Sequence, residues 1–125
     1  MKVEGITWHG IVLEAEQFAA TRKLMVDTFG LEPAMEMEGW TLFSNPNGPM
    51  LDLFAPESAQ GMCPWGLNDG VIFGFRVDDI ETASAELAEA GCELLGDVNV
   101  IEQMNYSWRH YRGPDGRVYG INQQH

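Results

Sequence analysis

Basic residues are scarce in this sequence: 7 Lys and Arg face 19 Asp and Glu in 125 residues, for a net charge of −12. Such a surface repels a phosphate backbone, which argues against nucleic acid as a partner. Long apolar runs are also missing. A membrane-spanning helix takes about 20 consecutive apolar residues, whereas the longest stretch without a charge, Gly39 to Leu51, is broken by Ser44, Asn45, Pro46, Asn47, Gly48 and Pro49. No membrane partner is expected. The opening MKVEGITWHG has Glu4 and Gly5 where an export signal places an unbroken apolar run, so a cytoplasmic location is expected. Only two cysteines occur, Cys63 and Cys92, too few for a disulfide scaffold and without the spacing of a structural zinc site. Both are expected as reduced thiols, Cys92 buried and Cys63 in a loop. There is no G-x-S-x-G elbow, phosphate loop or nucleotide fingerprint.

What is present is a chain that is 45% apolar and of single-domain length. Phe18, Thr21, Leu24, Met25, Thr28 and Phe29 fall on one face of a helix over about Glu16 to Phe29, ended by Gly30. A second helix is expected over about Asp79 to Ala90, with Asp78 and Glu81 at capping-box spacing, an Ile80, Ala83, Leu87 stripe and Gly91 as its end. Ile6 to Leu13 and Val71 to Val77 precede these helices and are rich in β-branched and aromatic residues, so both read as strands. Further strands are expected at Ala34 to Met37, Trp40 to Ser44 and Met50 to Phe54, then at Glu93 to Leu95, near Tyr106 to Tyr111, and at Val118 to Asn122. The turn-rich segments 45–49 and 113–116 separate the strand pairs. The order strand, helix, strand, strand, strand thus occurs twice, with Gly30-Leu31-Glu32 and Gly91-Cys92-Glu93 in equivalent places. The chain reads as one α+β domain of two tandem βαβββ modules, about 5–55 and 71–123, joined by a linker over about 56–70.

Four segments, TRKLMVDTFGLEP, GPMLDLF, VIFGFRVDDIETA and YRGPDGRVYGIN, occur in the order and spacing of the vicinal oxygen chelate superfamily, also called the glyoxalase/bleomycin resistance protein/dioxygenase superfamily. The sequence resembles that family over nearly its whole length. The resemblance implies a cleft-shaped mixed sheet formed by the two modules, a homodimer, and in many members a divalent metal held by four side chains. Carried onto this chain, those positions are Asp52 in MLDLF, Ile72, Gly120 in VYGIN, and Gly10 or Trp8 on the first strand. Only Asp52 is a potential ligand, and a catalytic metal needs about three. No metal and no cofactor is therefore expected. The alternative is one divalent ion on His9, Asp52 and His110, a two-histidine, one-carboxylate set.

In the implied cleft Asp52 is the most informative residue. A carboxylate enclosed by aromatic walls has a raised pKa and serves as a base or as an anchor for a cation; a solvated relic of an ancestral ligand is the ordinary alternative. Phe54 shares its face. On WRHYR, alternation puts Trp108 and His110 together, with Arg109 and Tyr111 opposite. His110 offers acid, base or hydrogen-bonding chemistry. Arg76 shares the parity of Ile72 and Gly74; it suits a ligand carboxylate or phosphate, or a structural pair with Glu14. Trp8, Val12, Glu14 and Gly120 complete the expected lining. Trp65, beside Met62, Cys63 and Pro64, is expected as a lid, a dimer contact or a plug. Trp40 is read as packing.

These expectations favour a metal-free binder of a small organic molecule, cationic and aromatic in the closest analogy, with sequestration of an antibiotic as the family precedent. The alternatives are a metal-dependent lyase, isomerase or dioxygenase, a metal-free acid/base enzyme using Asp52 and His110, and a non-catalytic partner module.

Overall fold

The structure, a computed structural model, describes residues 1–44 and 48–125. Asn45, Pro46 and Asn47 of the expected turn lie outside the described residues. Among the described residues eight strands and three α-helices follow one another as β1 (Val3–Val12), α1 (Ala15–Lys23), β2 (Pro33–Met37), β3 (Trp40–Phe43), β4 (Met50–Phe54), α2 (Pro56–Met62), β5 (Val71–Val77), α3 (Ile80–Glu89), β6 (Glu93–Ile101), β7 (Tyr106–Arg112) and β8 (Val118–Gln124). The doubled βαβββ order is present, and α2 occupies much of the segment expected as a linker. Pro56 at its first turn, where a missing N–H costs nothing, explains how that segment starts a helix.

The chain divides into two compact units. His9–Ile72 form the first half; Met1–Trp8 and Phe73–His125 form the second. In the first half β2, β3 and β4 pair antiparallel, with Trp40 opposite Phe54 and Leu42 opposite Asp52. Every residue of β3 is buried, and so are all of β4 except Leu51. Alternation of apolar and polar residues is accordingly weak in WTLF and MLDLF, as it is in strands covered on both faces.

The helix of the first half departs from its expected form. Glu14 occupies the N-cap without a side-chain cap bond, and α1 buries no residue. From Leu24 to Thr28 the chain widens into a π-helical turn, closed by Phe29 N–H donating to the Leu24 carbonyl. The extra residue in that turn rotates the apolar stripe out of register. Phe18, Thr21 and Met25 remain half-buried, whereas Leu24, Thr28 and Phe29 are exposed.

In the second half β5 and β8 run parallel, and β7 pairs antiparallel with both β8 and β6, giving the order β5-β8-β7-β6. Val77, Ile80, Ala83 and Ile121 form a buried cluster against which Leu87, Val98 and Tyr111 pack, so α3 covers one face of these strands. The cap of α3 lies one residue later than expected. Asp79 accepts from Thr82 N–H at 2.7 Å, while Asp78 accepts from the N–H groups of Lys2 and Asp79. A cap oxygen reaches the third helical N–H, and Thr82 holds that place when the helix begins at Ile80.

The two cysteines exchange their expected environments. Cys63, at the end of α2, is buried, and Cys92, just past the Gly91 that ends α3, is only half-buried. A short helix in place of a loop turns Cys63 inward.

Candidate functional site

In the second half the register sets Gly74 of β5 opposite Gly120 of β8, and Gly120 opposite His110 of β7. Paired residues project to the same face, so two missing side chains leave a shallow hollow beside an imidazole. The Trp8 indole lies in it. A Cβ on Gly74 would meet Trp8 Cε3 at 2.8 Å and its Cβ at 3.0 Å; one on Gly120 would meet Cε3 at 3.2 Å. The Trp8 and His110 ring centroids are 5.4 Å apart, and those of Trp108 and His110 are 4.8 Å apart. His110 is buried between two indoles, which explains why desolvation pushes its pKa down from 6.5 to about 4. At neutral pH it is an uncharged imidazole.

One position along the same face, Arg76 lies opposite Asn122, and Asn122 opposite Trp108. Asn122 is buried and its Oδ1 accepts from the Thr7 hydroxyl at 3.2 Å. Arg76 is half-buried, and its Nε is a buried donor with no hydrogen-bond partner. Its expected partner Glu14 is exposed at the N-cap of α1, and Arg76 takes part in none of the ion pairs among the described residues.

The first half holds Asp52, Phe54, Val12, Glu14, Trp65, Ile72 and His9. Asp52 is buried, and its Oδ1 accepts from Trp40 Nε1–H at 2.7 Å. The contact follows from the register: Trp40 is the diagonal neighbour of Asp52 on one face, within reach of an aromatic side chain. Asp52 is thus a hydrogen-bonded interior carboxylate, not a solvated groove residue. Its charge adds to burial in pushing the Cys63 thiol up to about 12, so Cys63 is no nucleophile. Phe54 and Ile72 are core residues. Trp65 and His9 are half-buried. A pocket of about 340 Å³ is lined by Val12, by Pro56, Ala59, Gln60 and Cys63, and by the segment from Pro64 to Asp69; Trp65 is not among its walls.

The metal that the resemblance associates with this fold does not suit these residues. Ile72 and Gly120 offer no donor, Trp8 places carbon over Gly120, and Asp52 is bonded to an indole N–H. Among the described residues no three His, Cys, Asp or Glu side chains gather in a way that would hold an ion.

Sequence reasoning brought out Trp8, Gly74, Gly120, Trp108 and His110 as cleft lining; the structure packs Trp8 on the two glycines and His110 between the two indoles. It overlooked Asn122, Thr7, Trp40 and the role of Cys63. Asn122 carries a readable signal, a polar residue in phase with Gly120 on an otherwise apolar strand. The Trp40–Asp52 bond needs the β3–β4 register, which one strand alone does not reveal.

No protein-family model matches the sequence, and neither does any curated protein. Solved structures do match. A glyoxalase/bleomycin resistance protein/dioxygenase superfamily member from Vibrio splendidus 12B01 is 16% identical with a TM-score of 0.61, over 98% of this chain and 99% of that one. Methylmalonyl-CoA epimerase (Q60A) of Streptomyces coelicolor, in complex with 2-nitronate-propionyl-CoA, is 20% identical with a TM-score of 0.67, over 98% and 99%. The Mn(II)-bound glyoxalase of Novosphingobium aromaticivorans is 17% identical with a TM-score of 0.70, over 98% of this chain but 40% of that one, so this chain spans less than half of that protein. The doubled βαβββ order, the strand pairings and these likenesses agree: the chain has the α+β fold of the glyoxalase/bleomycin resistance protein/dioxygenase superfamily, the vicinal oxygen chelate fold.

Proposed function

We propose that this chain binds a small organic molecule without a catalytic metal, on the face of its second half that carries Trp108 and His110. The Trp8 indole seated on Gly74 and Gly120 carries the reading. A position that the resemblance assigns to a metal ligand is a glycine, and the space above it is filled by carbon. A metal-dependent lyase, isomerase or dioxygenase needs donors there.

A metal-free acid/base enzyme using Asp52 and His110 is less well supported. An imidazole with a pKa of about 4 is a weak base and is almost never protonated at pH 7. Sequestration of an antibiotic is the finer form of the binder reading, with a homodimer and a cytoplasmic location as parts of it. The expectation of a cationic ligand drew on Asp52, Glu14 and the net charge. Asp52 is bonded to Trp40 and Glu14 is a surface carboxylate, which leaves only the net charge behind it.

Purified protein is to be incubated with Mn²⁺, Fe²⁺, Ni²⁺ or Zn²⁺, gel-filtered and analysed for metal. Well under one ion per chain is expected; near-stoichiometric metal that is lost on Asp52→Ala would overturn the proposal. Sedimentation velocity tests the homodimer, and a monomer at micromolar concentration removes that part.

A further inference from the structure

We infer that the molecule bound on this face is an oxyanion, a carboxylate or phosphate on a flat apolar body, and that Arg76 holds the anionic group while Trp108 abuts the body. The inference rests on the proposed binding function and adds the chemical class of the ligand.

The Arg76 guanidinium carries it. A buried charged donor without a partner is unfavourable in the free protein, and folded chains rarely retain one without a use. Other arginines among the described residues are engaged: Arg22 with Glu36, Arg109 with the Gly96 carbonyl, Arg112 with Glu93 and the Gly116 carbonyl. Arg76 is different, and it stands on a face whose pairing supplies the rest of a site. Asn122 forms a buried floor between Arg76 and Trp108. With neighbouring strands roughly 4.8 Å apart, the backbones of Arg76 and Trp108 are about 10 Å apart, which suits one ring and its charged substituent.

Charge patterning points the same way. In a chain of net charge −12, strands β5, β7 and β8 bring Arg76 and Arg112 to this face and contain not one Asp or Glu, Arg109 belonging to the opposite face. On the neighbouring β6, Glu93 stands opposite Arg112 and is taken up in an ion pair with it, which leaves Arg76 as the unpaired charge. A cation brought here meets a guanidinium with no carboxylate on these strands to offset it, whereas an oxyanion meets a planar fork that matches its geometry.

The test uses three one-ring probes, benzoate, phenyl phosphate and the cation benzamidine, with the wild-type chain at fixed ionic strength and binding followed by tryptophan fluorescence and calorimetry. At least one oxyanion is expected to bind saturably, more tightly than benzamidine. Arg76→Gln should weaken it ten-fold or more, and Arg76→Lys, which keeps the charge but loses the fork, should fall between. Comparing benzoate with phenyl phosphate separates a carboxylate from a phosphate ligand. Arg76→Met, read without ligand, guards against a purely structural role: its Tm should equal or exceed the wild type's, because an unpaired donor is removed. Failure of both oxyanions to bind, equal binding to Arg76→Gln, tighter binding of benzamidine, or a lower Tm for Arg76→Met would each overturn the inference. Retained metal would defeat the proposed function while leaving the Arg76 dependence readable.

Discussion

Trp8 in the second half and Trp40 in the first are almost equally buried, at 7% and 6% exposure, but they are seated in opposite ways. Trp8 sits where side chains are missing, over Gly74 and Gly120, against an imidazole edge. Trp40 is tied by its indole N–H to the Asp52 carboxylate. Gly120 and Asp52 are the two last-strand positions that the resemblance assigns to metal ligands. One is a glycine that leaves room for an indole; the other is a carboxylate that accepts from an indole. The helices differ in parallel, since α3 is capped by Asp79 and buries Ile80, Ala83 and Ser84, whereas α1 has no side-chain cap and buries nothing. Trp8 is held by shape and Trp40 by a polar contact, and substitutions should separate the two.

The largest effect is expected at Trp8. Trp8→Ala leaves the hollow empty and should cost about 3–5 kcal/mol in chemical denaturation. Gly74→Ala forces its Cβ against the indole and should cost about 1–3 kcal/mol in the wild type, but far less in the Trp8→Ala background. If the two costs simply add, the glycine does not serve the indole and the contrast with Trp40 collapses.

Acid should come next, and between pH 7 and 5 chiefly through the second half, since the Glu36 carboxylate of the first half, lowered by Arg22, gives way at lower pH. The unfolded chain protonates His110 near pH 6.5, while the folded chain resists until about pH 4. Between those values the unfolded state binds the extra proton, so stability is complete above about pH 6.5 and falls as the pH approaches 4. By pH 5 the loss should be about 2 kcal/mol. Denaturation midpoints at pH 7 and pH 5 measure it, and His110→Gln should flatten the difference, since glutamine does not titrate. An equal slope in that variant would place the sensitivity elsewhere.

At Trp40 the expected cost is similar or smaller and of another kind. Asp52→Ala strands a buried indole N–H and should cost about 1–3 kcal/mol, while Asp52→Asn keeps an acceptor oxygen and should cost less. Equal losses would mean that the charge, not the hydrogen bond, holds Trp40.

Much of this architecture was readable from residue patterns. The limits of β4 and β5 match the apolar runs Met50 to Phe54 and Val71 to Val77, because turn residues bracket both. The pairing of Trp108 with His110, and the separation of Tyr111 to the α3 side, follow from alternation alone. Contacts made across strands were hidden. Which indole fills the Gly74–Gly120 hollow depends on how β1 is threaded, and the Trp40–Asp52 bond depends on the β3–β4 register. Cys63 and Cys92 were misplaced because short-range pattern does not distinguish a seven-residue helix from a proline- and glycine-rich loop.

The smallest effect should come from the helix starts, where the halves can be compared with one change in each. Asp79→Ala removes the bond to Thr82 N–H and should cost about 1 kcal/mol, with loss of amide protection confined to the first turn of α3. Glu14 holds the matching position on α1 but its carboxylate accepts no helix N–H, and the helix behind it buries nothing. Glu14→Ala should therefore change stability by no more than about 0.5 kcal/mol. Hydrogen exchange on the two variants reads both helices at once: protection in α3 should drop at Thr82 in the first and stay at wild-type values in the second. A loss of 1 kcal/mol or more from Glu14→Ala would show that α1 is anchored at its N-terminus after all, and the first half would no longer be the one whose helix is left to the surface.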